Sequence, residues 1–135
     1  MNILKLFIPA MVCAAALDLL WMGVVAGSFY KNQLGALLRP SRDFAANHWV
    51  AIVLIYVAIA AGVVFFVLPR AGSTGQAALW GAAFGLVLYG LYELTNYSLL
   101  QNWPPAVLIV DTLWGAVICA ATSAVVYHLN NEIGI

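Results

Sequence analysis

Charge is what this sequence has least of. Five Lys or Arg and five Asp or Glu in 135 residues give a formal net charge of zero, while 65% of the residues are hydrophobic. Ordinary soluble domains carry about a quarter charged residues, so this composition excludes one and places the chain in a bilayer. No basic cluster is present, which removes the electrostatic footprint of a nucleic-acid partner and of a polybasic headgroup anchor. Cysteine is scarce too. Cys13 and Cys119 lie in apolar runs without Cys-x-x-Cys or metal-ligand spacing and read as small packing residues. Also missing are a nucleophile paired with a base, a His-rich box and a phosphate loop ending in Gly-Lys-Ser/Thr, so no named hydrolytic, iron-redox or nucleotide chemistry is indicated. No cofactor is expected. No resident metal is expected either, because the histidines are poorly placed to help a carboxylate set hold one.

What is there is four apolar runs, at about residues 3–27, 47–68, 76–100 and 106–128, each of the roughly 20 residues needed to span. They predict an all-α integral membrane four-helix bundle forming one membrane domain over residues 1–135. The first run imitates a signal peptide with Lys5 and Ala14-Ala15-Ala16, but continues unbroken to Ala26, longer than a signal core. Ser28 to Pro40 reads as a short interfacial helix. Ser41 is a candidate N-cap for the second span, whose body is apolar except for Tyr56 and therefore reads as a lipid-facing wall. Pro69 to Gly75 is a turn, and Gln101 to Pro105 is a tight connection in which Trp103 suits the headgroup belt, as does Trp49 at the start of span two. His48 reads as an interfacial residue.

The conflict in this pattern lies in Tyr89 to Asn96. On a helix Tyr89, Tyr92, Glu93 and Asn96 share one face, with Gly81 and Gly85 extending it. The two glycines form a small-xxx-small pattern for close helix packing. An acid at this depth costs about 2.5–3.5 kcal/mol on insertion scales and faces a partner or a cavity. Four spans bring the loops after spans one and three to the same side, here called face B; the opposite side is face A. At about 1.5 Å rise per residue, Asp18 lies roughly 13 Å, Glu93 roughly 10 Å and Asp111 roughly 9 Å below face B. No Lys or Arg lies in a span core to pair with them, so a shared-proton cluster is expected, with at least one acid neutral at pH 7. Spans one and four both carry Asp-x-Leu-Trp and run in opposite directions. Adjacent, they let Trp114 donate to Asp18 and Trp21 to Asp111. Thr112 and Thr122 can bond back to their own helix carbonyls.

The segments Asp18-Leu19-Leu20-Trp21-Met22-Gly23, Phe29-Tyr30, Gly90-Leu91-Tyr92-Glu93-Leu94-Thr95-Asn96, Trp103-Pro104 and Val110-Asp111-Thr112-Leu113-Trp114-Gly115 resemble the motifs of a family of small bacterial four-span membrane proteins, domain of unknown function 2177. The resemblance covers nearly the whole chain and implies four membrane helices; it carries no mechanism. Three function classes follow from the residues. The first is a binding pocket for a lipid, small amphiphile, proton or cation, lined by Asp18, Glu93, Asn96, Asp111, Trp21, Trp114, Tyr89 and Tyr92. The second is an enzyme in which Glu93 is the general acid on a lipid or isoprenoid double bond. The third is a structural protein whose acids only hold helices together. A transport path through so narrow a bundle would call for a homodimer. The expected location is the bacterial inner membrane. Lys31, Arg39 and Arg42 on face B, against Lys5, Arg70 and the terminal amine, give the positive-inside rule only a slight lean toward a cytoplasmic face B.

Overall fold

The computed structural model describes residues 2–134. Among them there is no strand, and four helices are long and apolar enough to cross a membrane. The protein is an all-α membrane bundle with a short helix between its first two spans. Span one is α1, Ile3–Leu20, extended by a π-helical turn at Trp21–Val25. The short helix is α2, Gly27–Leu34. Span two is α3, Ala46–Gly62, prolonged through Val63–Val67 to Arg70. Span three is α4, Thr74–Leu99, and span four is α5, Pro105–His128, prolonged to Ile133.

The ends differ from the sequence expectation for local reasons. Ser41 lies in a separate 3-10 turn and caps nothing. The start of α3 is held by His48, whose Nδ1 accepts from the Ala45 amide at 2.9 Å, so His48 has a capping role. Helix α4 begins earlier than the apolar run because Ser73 Oγ accepts from the Gln76 amide at 3.2 Å while Gln76 Oε1 accepts from the Gly72 amide at 2.8 Å. Span four outlasts its apolar run. His128 and Glu132 approach to 3.1 Å across one turn and carry the helix through segment 129–133, which composition alone reads as a polar tail.

Packing around the bundle is uneven. Helices α4 and α5 form the closest pair, and α1 packs between α3 and α5. The α4–α5 seam depends on missing side chains: a Cβ on Gly85 would fall on the Gly115 carbonyl, and one on Gly81 would meet the Cys119 carbonyl and Ser123. The seam is thus the close approach expected of a small-xxx-small pattern. By contrast, α3 approaches α4 only toward face A, where the Phe84 ring lies on Gly62. The main core sits in the same half and includes Leu6, Ala10, Ile59, Val63, Ile118, Cys119 and Val126. Toward face B the two spans diverge and the interior is hollow.

Replacing Gly85 by Leu is expected to lower thermal stability in detergent by about 1–3 kcal/mol, the usual overpacking cost. Gly90→Ala, whose added methyl meets only the Thr112 methyl at ordinary contact distance, is expected to leave the transition within error. Circular dichroism melts of the two variants check both.

Candidate functional site

The hollow is a cavity of about 530 Å³ lined by residues from every element of the face B half: Asp18 and Met22 from span one, Tyr30 and Leu34 from α2, Ile55, Ala58 and Ile59 from α3, Leu88, Tyr89, Tyr92 and Glu93 from α4, and Val107 and Asp111 from α5. Leu38 and Trp103, from the two face B loops, complete it. The three acids that the sequence places at one level therefore line a single chamber. Its remaining wall is largely aliphatic, and no Lys or Arg contributes.

Each acid is held by neutral aromatic donors. Trp114 Nε1–H donates to Asp18 Oδ1 at 3.0 Å, the contact that antiparallel spans one and four allow. The second oxygen, Asp18 Oδ2, accepts from the Tyr56 hydroxyl at 2.8 Å. Span two is therefore more than a lipid-facing wall. The one polar side chain in the apolar body of the span points inward to a carboxylate, because Tyr56 sits on the α3 face that packs against α1.

The other half of the expected crossed pair takes a different form. Trp21 does not reach Asp111. Its Nε1–H donates to the Tyr30 hydroxyl at 3.1 Å, and Tyr30 donates to Asp111 Oδ1 at 2.8 Å. The π-helical turn explains the relay. The Ala26 amide bonds back five residues to the Trp21 carbonyl at 2.7 Å, and Gly27 then passes so close to the Met22 carbonyl that a Cβ would overlap it. The turn leads into α2, which packs against the start of α5 and sinks Tyr30 to 4% exposure. Burial, ahead of the neighbouring acids, pushes the Tyr30 phenol above its ordinary range, which keeps it protonated and donating.

Glu93 is the most enclosed of the acids, 1% exposed. Trp103 Nε1–H donates to its Oε2 at 2.8 Å. Trp103 is thus a ligand of the acid rather than a belt anchor. The turn that aims it inward passes through Asn102 in the left-handed region, φ 61°, where Asn is among the most tolerated side chains. The Glu93 carboxyl also lies within hydrogen-bonding reach of Asp111. The expected cluster of three resolves into a Glu93–Asp111 pair and a separately held Asp18. Among the described residues no group of three His, Cys, Asp or Glu is spaced to hold a metal ion.

The other expected site residues divide. Tyr89 lines the chamber with its ring against Gly115, and Tyr92 stands at the rim, 54% exposed. Asn96 lies beside the Tyr92 hydroxyl and does not line the cavity. Trp21 and Trp114 are not cavity walls; they stack on each other, centroids 4.4 Å apart and planes within 5°, and act by positioning the acids and Tyr30. Thr112 and Thr122 do not bond to their own helix: their buried hydroxyls have no partner. Sequence reasoning missed Tyr30, Tyr56 and Trp103 as site residues. The available signal for Tyr56 was its isolation as the single polar group in an apolar span.

The magnitudes account for how an uncompensated acid survives here. A hydrogen bond to a charged group contributes about 1.5–3 kcal/mol, so the two on Asp18 match the insertion cost of about 2.5–3.5 kcal/mol, whereas Glu93 and Asp111 have one aromatic donor each. The class the fold and site define is a multi-pass membrane protein with acids lining a cavity in one half of the helical bundle. Over residues 3–128 the chain matches, and belongs to, the family described as predicted membrane protein, domain of unknown function 2177. No curated protein and no solved structure matches it.

Tyr30→Phe leaves Trp21 without an acceptor and removes a donor from Asp111, and is expected to destabilise by about 1–3 kcal/mol. Tyr56→Phe should cost less, since Asp18 keeps its Trp114 bond. Thermal unfolding in nanodiscs gives the ranking; equal melting points for both variants and the wild type would contradict these roles.

Proposed function

We propose that this protein, placed in a bacterial inner membrane, binds a small amphiphile whose cationic or hydrogen-bond-donating head rests among Asp18, Glu93 and Asp111. One observation carries the reading: three carboxyl groups and no cationic side chain line a cavity of about 530 Å³ whose other walls are mostly aliphatic and aromatic. Pockets of about 300–1,000 Å³ with a few convergent polar groups are the usual form of small-ligand sites. A cationic head supplies the charge partner that the spans do not contain, and Tyr89, Tyr92 and Trp103 offer aromatic surface beside it. A purely structural role for the acids leaves the volume between them unexplained.

A second reading, acid-catalysed chemistry on a lipid or isoprenoid, is favoured by the contact between Glu93 and Asp111. A carboxyl pair that shares one proton lets Glu93 deliver it to a double bond while Asp111 takes a proton from the carbon next to the resulting cation, so the double bond moves and the pair again holds one proton.

Dodecyltrimethylammonium is expected to raise the melting temperature of the protein in nanodiscs, and dodecyl sulfate is not. In Glu93→Gln and Asp111→Asn the apparent affinity should fall about tenfold, about 1.4 kcal/mol. Unchanged affinity in both variants removes the proposed role. Turnover of a candidate lipid that disappears in Glu93→Gln selects the second reading.

A further inference from the structure

The walls of the cavity are not equally closed. Toward face B it is roofed by the buried Tyr30, by Leu34 and Leu38 and by Trp103, all at least partly covered. At the back stand α1 and α5, and the deep end of the lining is Leu88 and Ile59, with the Phe84–Gly62 contact beyond them. The exposed lining residues are Ile55 and Ala58 on α3, Tyr92 on α4 and, at the face B end of span one, Met22, with Ile55 at 53%, Tyr92 at 54% and Met22 at 40% exposure; below Met22 the exposed ones all belong to α3 and α4. Ile55, Ala58 and Tyr92 line the cavity where α3 and α4 make no close contact. Both helices are membrane spans, so the gap opens on lipid.

Polarity along the gap is graded. Counted at about 1.5 Å per residue from the face B ends of the helices, Glu93 and Asp111 lie about 9 Å deep and Asp18 about 10 Å deep. Ile55, Leu88, Ala58 and Ile59 lie at about 14 to 20 Å, and the Phe84–Gly62 contact beyond the lining at about 22 to 24 Å. The carboxyl groups are therefore nearest the headgroups, with about 10 Å of mostly apolar lining below them. A lipid in the face B leaflet has the same order of polar and apolar parts.

We infer that the cavity is loaded sideways from the face B leaflet through the gap between α3 and α4, and that its occupant is an ammonium-headed amphiphile with its aliphatic chain laid along Ile55, Ala58, Ile59 and Leu88. This rests on the binding reading above and adds its route, orientation and ligand class. An amphiphile already standing in that leaflet needs no inversion to enter, and its chain stays in an apolar environment throughout. The head alone leaves the interface, and it meets acids with no competing cation.

The test uses the full chain in nanodiscs and a twelve-carbon alkylamine carrying a diazirine at mid-chain. Light-induced adducts located by mass spectrometry are expected on Ile55, Ala58, Leu88 or Tyr92. Ala58→Trp, which fills the gap, should cut this labelling at least tenfold, whereas Ala51→Trp, outside the cavity lining on the same helix, should not. Should Ala58→Trp fail to fold, Ile55→Cys treated after folding with a bulky lipid-permeant thiol reagent closes the same gap, with the wild type as the control for Cys13. Adducts confined to Leu34, Leu38 and Val107, or undiminished labelling in the plugged proteins, overturn the sideways route. If labelling is lost in Glu93→Gln but kept in Ala58→Trp, the route alone falls. If labelling is the same in wild type and Glu93→Gln, the binding reading falls with it.

Discussion

A carboxyl group in hydrocarbon must find hydrogen-bond donors, and in this protein none of those donors is a cation. Tyr56 and Trp114 hold Asp18, Tyr30 holds Asp111, and Trp103 holds Glu93. The donors come from span two, span four, the short helix and a loop, so satisfying three acids ties together every element of the face B half. Indoles and phenols suit the task because they carry a donor on an apolar body. They compensate charge without cancelling it. A Lys or Arg would have closed each acid into a neutral pair, and the chamber would then offer a ligand far less.

The two ends of the bundle are built on different principles. Near face A the helices meet through ordinary close packing, with Phe84 against Gly62 and a core of Val, Ile, Leu and Ala. Small residues also draw α4 and α5 together along their length, since van der Waals contact replaces the hydrophobic effect between helices in lipid. Near face B, α3 has no such seam with α4, and polar contacts replace packing. The result is a wedge, closed at one end by glycine and aromatic contact and open at the other around the acids.

The family match and the site geometry bear on different questions. Family membership assigns the chain to a group of membrane proteins, and nothing in that description identifies a ligand. The chemistry of the site lies in its cavity, in the donors around each acid and in a lining without Lys or Arg. A fold alone does not carry a function, whereas the chemistry of a site can be reasoned about directly.

Much of this was legible in the residues. Hydropathy and helical rise are local properties, so the four spans, the depth of Asp18, Glu93 and Asp111, and the shared face of Tyr89, Tyr92 and Glu93 follow from the order of amino acids alone. The antiparallel Asp-x-Leu-Trp segments even indicate that Trp114 can reach Asp18. Tertiary structure decided which helices are neighbours, and with that who supplies the donors. Tyr56 turns inward because α3 packs on α1; Tyr30 stands between Trp21 and Asp111 because α2, entered through a π-helical turn, packs against α5; Trp103 reaches Glu93 from a loop that passes through Asn102 at positive φ. Composition describes one helix at a time and assigns each of these residues to the lipid or the interface. A hydrogen bond across the bundle depends on two surfaces meeting, and that is settled only when the helices pack.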